Sequence, residues 1–230
     1  KVVAPNDLPR AIVGRRRFTV LGAGKTGMDA CMFLMDMGVP PGAIRWIAPR
    51  AFWCTNRETY QPGGGVLERN QALQLECYAA ATSAEDLPDR LEAAGQMIRI
   101  RRDVRPTMFR GATLSPAEAE ALGRIGDVVR LGRVERIEPD RLIFKKGEIA
   151  AAPDTLYIDC TASAINPGPL VPVFNGNRIT LQTVRPGLMC LSAAIAGRLE
   201  TMSADETLKN EMLRPLPVPE TIADYPVLQL

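Results

Sequence analysis

The sequence predicts an α/β fold built on a doubly wound parallel β-sheet, with a small antiparallel β-meander. One observation is a strand, glycine turn, helix and second strand within residues 15–48, the size of a βαβ unit. Another is the turn Glu138-Pro139-Asp140 between two apolar runs, which is typical of antiparallel strands. The third is the composition, with 46% hydrophobic and 23% charged among 230 residues, which allows a sizeable core.

The first elements follow from hydrophobic periodicity and from helix-breaking residues. Residues 15–21 form a β-prone run that leads directly into a glycine-rich turn. Residues 26–37 carry an apolar stripe at helical spacing, and Gly38 and the Pro40-Pro41-Gly42 turn end this helix. Residues 43–48 complete the unit as a second strand.

The rest of the chain divides into short elements, and residues 50–65 are predicted to form a loop. The helices are predicted at residues 66–81, with Leu67, Leu73 and Leu75 as apolar anchors, at 84–94, at 115–122 behind the cap Ser115, and at 188–201. The strands are predicted at residues 97–100, 127–137, 141–144 and 155–159.

These elements suggest three regions: an N-terminal linker of residues 1–14, a nucleotide-binding domain of residues 15–165, and a C-terminal segment of residues 166–230. The linker prediction rests on the two prolines within the first ten residues. Because the chain begins at Lys1 and not at Met, we expect it to be part of a longer protein.

Composition excludes several classes of function. The formal charge of +2 argues against a nucleic-acid partner or an anionic membrane surface, and the longest apolar stretch, residues 187–197, is too short for a membrane span. Five cysteines without a CxxC pair predict no zinc site, no disulfide framework and a reducing, cytoplasmic location. Histidine is absent, so every imidazole base or metal ligand is excluded and a cofactor is expected to carry any chemistry.

The glycine turn Gly22-Ala23-Gly24-Lys25-Thr26-Gly27 has two interpretations. The ending GAGKT invites a P-loop, but the first glycine of that motif would fall at Thr19, inside the strand. The pattern Gly-x-Gly-x-x-Gly instead fits a dinucleotide-binding turn of Rossmann type. There the first glycine makes the turn, the second admits the pyrophosphate and the third packs helix on strand. A turn without any ligand is the third possibility.

The segment from Gly22 to Ala30 resembles the pyridine-nucleotide motif of two-dinucleotide-binding flavoproteins. With Thr26 and Asp29, it is most similar to the flavin-containing monooxygenase version. The likeness continues in residues 45–53 and in residues 157–162, and it covers roughly residues 15–164. It implies a Rossmann-like domain that binds NADP and passes hydride to FAD, which a flavin-binding domain of the same protein would hold.

The chain departs from that family in having one Gly-x-Gly-x-x-Gly and no upstream FAD motif. We therefore expect an NADPH-binding part of a flavin-dependent oxidoreductase, whose small-molecule substrate the sequence does not identify. A non-catalytic dinucleotide-binding regulatory module is the alternative, and a P-loop NTPase is a weaker one.

The candidate cofactor-binding residues belong to the turn, to the loop after the second strand and to the end of a later strand. Thr26 could contact a phosphate or cap the helix, and Asp29 could favour the helix dipole or, by the resemblance, contact the nicotinamide side. Arg50 could select the 2′-phosphate of NADPH, with Arg57 as a second contact, because no acid occurs between Asp36 and Glu58. The full set of candidates is Gly22, Ala23, Gly24, Lys25, Thr26, Gly27, Asp29, Arg50, Arg57 and Thr161.

Overall fold

The computed structural model describes residues 1–162, 168–185 and 189–225. Its contacts divide the chain into two units, Lys1–Ala162 and Ser163–Leu230. The division falls close to the expected boundary at residue 165, which itself lies outside the described residues.

The secondary structure alternates short strands with helices of one to four turns. The strands are β1 (Val2–Val3), β2 (Arg17–Leu21), β3 (Ile44–Ile47), β4 (Phe52–Asn56), β5 (Met97–Ile98), β6 (Met108–Leu114), β7 (Asp127–Val129), β8 (Val134–Ile137), β9 (Arg141–Phe144), β10 (Gly147–Ala150), β11 (Thr155–Asp159), β12 (Phe174–Asn175) and β13 (Arg178–Ile179). The helices are α1 (Leu8–Ala11), α2 (Lys25–Asp36), α3 (Val66–Ala80), α4 (Asp86–Ala93), α5 (Pro116–Gly123), α6 (Met189–Met202) and α7 (Glu206–Met212).

A five-stranded sheet, in which every neighbouring pair of strands is parallel, organises the first unit. Its strand order is β1-β11-β2-β3-β7. Strand β2 lies at the centre, where Val20 pairs with Ile158 of β11 and with Trp46 of β3. The predicted βαβ unit is confirmed, because β2, α2 and β3 follow one another and β2 pairs with β3 in parallel.

The two faces of this sheet bury different kinds of structure. On one face, Phe18 and Val20 pack with apolar residues of α2 and α5. On the other face, Leu21 and Ile47 pack with Phe144 of the antiparallel sheet β10-β9-β8. In a fully doubly wound sheet, helices cover both faces. Here the described residues place the meander on the second face, where each buried Leu or Ile side chain contributes about 1.5–3 kcal/mol.

The N-terminal residues belong to the sheet and the core of the first unit. Val2 and Val3 form the edge strand β1 against Tyr157 and Ile158 of β11, and Leu8 in α1 is buried in the core. The linker prediction for residues 1–14 therefore differs from the structure, because two valines with high strand propensity extend the sheet.

The prediction of a loop at residues 50–65 is wrong for its first half. Strand β4 forms there and pairs with β5 and β6 in a three-stranded sheet, with Trp53 and Cys54 fully buried. A 3₁₀ helix, Arg57–Tyr60, follows it. The apolar character of Phe52, Trp53 and Cys54 was the signal for this strand.

Other predictions failed where tertiary context decides. The expected strand at residues 127–137 is two strands, β7 and β8, in different sheets, and strands β6 and β10 were not predicted. Helix α3 exists as predicted, but its expected leucine anchors are exposed and its buried residues are Asn70, Gln74 and Cys77. The capped helix after Ser115 is confirmed as α5, with a capping box between Ser115 and Glu118.

The described residues of the second unit include the hairpin β12–β13, helices α6 and α7 and a 3₁₀ helix, Ile222–Asp224. The side chain of Asn210 in α7 accepts a hydrogen bond from the Phe174 backbone N–H and donates one to the Phe174 carbonyl oxygen. Lys209 is buried, ion-paired with Glu200 and positioned over the Phe174 ring. Helix α6 matches the helix expected at residues 188–201 within one residue at each end, but residue 188 lies outside the described residues.

We expect Gly27→Ala to destabilise the first unit, because its methyl carbon would lie 2.2 Å from the Gly22 carbonyl oxygen. Overpacking of this kind costs about 2–3 kcal/mol in free energy of unfolding, measurable by denaturant titration with circular dichroism. Gly42→Ala is the control, since its methyl group would meet nothing within 4 Å. Equal unfolding free energies for the two variants would contradict the close packing described here.

Candidate functional site

The glycine turn joins strand β2 to helix α2 through only three residues, Gly22 to Gly24. Gly22 has a φ of 114°, and a Cβ there would lie 2.6 Å from the Cys160 carbonyl oxygen. The Gly22 carbonyl oxygen accepts a hydrogen bond of 2.8 Å from the Trp46 indole N–H. Both the backbone conformation and the neighbouring strand therefore require glycine at position 22.

The other two glycines of the turn differ in what surrounds them. Gly27 lies against the Gly22 carbonyl, so helix α2 can approach strand β2 closely only without a side chain there. Gly24, in contrast, has an ordinary extended backbone (φ −72°, ψ 178°), and a Cβ there would meet nothing within 4 Å. The protein's own packing requires glycine at positions 22 and 27 but leaves the space at position 24 open.

The first turn of α2 contains three of the predicted site residues. Its N-cap is Gly24, whose position has no side-chain capping bond, so Thr26 lies inside the helix and is not the cap. Lys25 forms an ion pair with Asp29 one turn later. Such i,i+4 pairs on a surface contribute only about 0.3–0.5 kcal/mol, so a ligand phosphate can readily compete for Lys25.

Thr161 follows strand β11 at the same edge of the sheet. Its backbone N–H and hydroxyl both donate to one oxygen of Asp159, at 3.0 Å and 2.6 Å. A Cβ at Gly22 would lie 3.5 Å from the Thr161 nitrogen, so the end of β11 and the glycine turn are adjacent. The predicted residues at the turn and at Thr161 thus occupy one end of the sheet.

A small cleft, open to solvent, lies beside the turn. Ala23 and Met28 form the wall nearest the turn, Ala48 and Arg50 the wall at the end of β3. Further lining residues come from the segment after β5, from α5 and from the end of β7, namely Arg99, Ile100, Arg101, Val104, Pro106, Leu122, Val128 and Arg130. The cleft therefore extends from the glycine turn to Arg50.

The four arginines that line the cleft differ in how their charges are neutralised. Arg99 is ion-paired with Glu92, and Arg101 makes two bonds of 3.0 Å and 2.8 Å to the carboxylate of Asp103. Arg50 has no ion pair or hydrogen bond within the described part of the chain.

Arg130 is the second of the four cleft arginines that forms no ion pair within the described part of the chain. Its guanidinium donates to the Ala48 carbonyl oxygen at 3.1 Å. Burial lowers the pKa of Arg130, and the like charge of Arg101 lowers it further, while Asp103 acts in the opposite direction. A guanidinium remains protonated at neutral pH, so Arg50 and Arg130 present positive charge to the cleft.

The structure does not bring Arg57 to this cleft. Its guanidinium forms an ion pair of 3.0 Å with Glu118 and donates to the Thr113 carbonyl oxygen, which ties the 3₁₀ helix after β4 to the start of α5. Hydrogen bonding from Ser115 and from Arg57 outweighs partial burial and lowers the pKa of Glu118. Arg57, expected as a second contact to the 2′-phosphate, directly follows strand β4 and does not line the cleft.

Sequence reasoning missed Arg99, Arg101 and Arg130. Arg130 reaches the cleft because β7 pairs with β3, which places the residue after Val129 near the residue after Ile47. The sequence offers no signal for this pairing across eighty residues. For Arg101, the only signal was its position directly after the strand predicted at residues 97–100, where ligand-binding residues of α/β sheets collect. Arg99 lies inside that predicted strand and carried no such signal.

No cluster of three or more His, Cys, Asp or Glu side chains suited to a metal ion occurs among the described residues. Nor does any helix within those residues combine the length and the apolarity that spanning a bilayer requires.

The known proteins to which this chain is similar are longer than the chain itself. No family model matches it, and no solved structure matches it. It is similar to "Uncharacterized protein Mb2023" of Mycobacterium bovis and to "Uncharacterized protein MT2056" and "Uncharacterized protein Rv2000" of Mycobacterium tuberculosis. Each is 44% identical over 226 residues, which is 97% of this chain and 42% of the relative. The chain thus spans less than half the length of these curated relatives.

The four buried thiols are expected to be unreactive in the folded protein. Burial raises the pKa of Cys54 to about 12 and that of Cys160 to about 11, and it raises the pKa of Cys31 and of Cys77 as well. Cys190 is exposed. At pH 8 we expect one thiol per chain to react rapidly with a chromogenic disulfide reagent, and all five to react in denaturant.

The variant Cys190→Ser tests this assignment. It should remove the rapid phase and leave the slow reaction of the buried thiols unchanged. Two or more rapidly reacting thiols in the native protein would contradict the burial of the other four cysteines.

Proposed function

We propose that the unit Lys1–Ala162 is a Rossmann-like NADPH-binding domain of a flavin-dependent, monooxygenase-like oxidoreductase. The observation that carries the proposal is the open space at Gly24, between two glycines whose side-chain spaces are filled by backbone. A dinucleotide-binding turn needs glycine at its second position because the pyrophosphate passes there.

The start of helix α2 supplies the phosphate contacts. The first N–H groups of an α-helix have no partner within the helix, and the helix dipole adds partial positive charge at this end. Because no side chain caps the helix at Gly24, these groups are available to a pyrophosphate. Lys25 and Thr26 stand in the same turn, where an ammonium and a hydroxyl could add contacts to the phosphate oxygens.

The cleft beside the turn favours NADPH over NADH. Arg50 follows the second strand of the βαβ unit, where Rossmann-type domains read the ribose of the adenosine. Arg130, which follows the neighbouring strand β7, adds a second cation that forms no ion pair within the described part of the chain. Planar guanidinium groups match a phosphate dianion well, and no acid between Asp36 and Glu58 is present to bind a free 2′-hydroxyl.

The reduced nicotinamide supplies a hydride when it is bound, and the described residues bind and orient the dinucleotide. FAD has no comparable cradle among the described residues, since the chain contains one Gly-x-Gly-x-x-Gly pattern. We assign FAD to a flavin-binding domain of the same protein. The matched relatives, more than twice as long as this chain, have room for such a domain.

A P-loop NTPase fits the structure less well. Three residues between β2 and α2 leave no room for a loop that wraps a phosphate, and the position of the first P-loop glycine is the buried strand residue Thr19. A regulatory dinucleotide-binding module is the alternative to an enzyme. A flavin absorbance in the intact protein that NADPH bleaches would favour the enzyme, whereas NADPH binding without any flavin would favour the module.

Gly24→Val tests the phosphate site. The isopropyl group would fill the space that the pyrophosphate needs, so we expect NADPH affinity to fall at least about 100-fold in titration calorimetry, equivalent to the loss of one or two charge-assisted hydrogen bonds. The extended backbone at Gly24 accepts valine, so the variant should remain folded, with some loss of unfolding free energy because valine is a poorer N-cap residue than glycine. Unchanged affinity in a folded Gly24→Val variant would mean that the turn is only structural.

Arg50→Ala tests the nucleotide preference. Loss of a charge-assisted contact to the 2′-phosphate should weaken NADPH binding by about 10- to 100-fold and leave NADH binding nearly unchanged. Arg57→Ala is the matched control, because it removes an arginine that does not line the cleft, and it should preserve the preference. Equal losses for both nucleotides in Arg50→Ala, or none for either, would exclude Arg50 as the selector.

A further inference from the structure

Arg99 lies over an aromatic ring at the side of the cleft. It follows strand β5, and the central carbon of its guanidinium is 5.4 Å from the centre of the Trp53 ring. Trp53 is fully buried in strand β4 and cannot itself reach a ligand. The side chain of Arg99 keeps 22% of its surface exposed and lines the cleft. The guanidinium of Arg99 therefore lies over a tryptophan ring, and the residue also lines the cleft.

Glu92 holds this guanidinium in a defined orientation. Its carboxylate accepts from Nε of Arg99 at 3.0 Å and from Nη2 at 2.7 Å, a two-bond arrangement that brings the guanidinium and carboxylate planes together. Glu92 lies in the last turn of helix α4. The ion pair with Glu92 therefore fixes the plane of the Arg99 guanidinium and neutralises its positive charge.

Because Glu92 neutralises the charge of Arg99, we expect Arg99 to contact a different part of the ligand from Arg50 and Arg130. A phosphate is attracted most strongly by cations that lack a counter-ion, which describes Arg50 in this cleft. A guanidinium already paired with a carboxylate keeps its flat, weakly hydrated face, which stacks well on aromatic rings. The geometry around Arg99 suits a planar, uncharged ring better than a phosphate.

We propose that Arg99 is the stacking surface for the adenine ring of the dinucleotide, with Trp53, Arg99 and adenine in three layers. This inference rests on the proposed function, since it names the residue that positions the base in the same cleft. Adenine is the planar uncharged ring on the side of the ligand that carries the 2′-phosphate. Arg99 would thus hold the base while Arg50 and Arg130 bind the phosphate.

Arg99→Lys in the full chain tests the proposal. Lysine keeps the positive charge and can still pair with Glu92, but it lacks the flat face, so affinity for ADP should fall by about 5- to 30-fold. Affinity for inorganic pyrophosphate, which has no base, should not change. Arg141→Lys is the matched control, because Arg141 is ion-paired with Glu138 in the meander and does not line the cleft.

A spectroscopic readout separates stacking from a merely structural role. The Nε–H of Arg99 is hydrogen-bonded to Glu92, which protects it from exchange and makes it observable by ¹H–¹⁵N NMR. Stacking of adenine should move this resonance upfield on addition of ADP but not of pyrophosphate. The resonance is assigned by its absence in Arg99→Lys.

The outcomes distinguish this inference from the proposed function. ADP binding with no shift of the Arg99 resonance, or with equal affinity in Arg99→Lys and Arg141→Lys, overturns the stacking role and leaves the nucleotide site standing. Failure of the wild-type chain to bind NADPH, ADP and pyrophosphate overturns both.

Discussion

The close approach of helix α2 to the end of strand β2 is the contact on which the rest of the site depends. The absence of a side chain at Gly27 lets the helix begin directly against the Gly22 carbonyl, and Trp46 of the neighbouring strand donates to the same oxygen. This contact aims the first turn of the helix at the carboxyl end of the sheet. Without it, neither the open space at Gly24 nor the cleft next to it would exist in this form.

Apolar residues occupy the two faces of the sheet, whereas charged residues collect at the carboxyl end of its strands. The helical face and the meander face together bury the apolar residues of the strands. At the carboxyl end, acids neutralise the arginines selectively. Glu92 and Asp103 pair with Arg99 and Arg101, while Arg50 stays unpaired in the described part of the chain. The cleft thus contains arginines held in place by acidic partners and at least one arginine, Arg50, whose charge is not neutralised. This arrangement suits a ligand that is both planar and phosphorylated.

Much of the first unit could be predicted because its signals are local. The glycine spacing, the apolar stripe of α2 and the cap at Ser115 each determine a structure within a few residues. Strand β4 was missed because proline and glycine later in the segment suggested a loop, although Trp53 is buried in it. The exposed leucines of α3 show that apolar spacing does not identify the buried face when polar residues such as Gln74 find hydrogen-bond partners inside. Arg130 could not be found, because its place in the cleft depends on strand order.

The most direct test of the account is energy transfer from tryptophan to NADPH in the full chain. The protein has two tryptophans, of which Trp46 lines the cleft and Trp53 lies beneath Arg99. NADPH bound in the cleft should quench their emission saturably and give sensitised nicotinamide emission, and excess ADP should reverse both changes. Tryptophan emission that falls only in proportion to the absorbance of added NADPH, without saturation or sensitised emission, would contradict the assignment of this cleft as a nucleotide site.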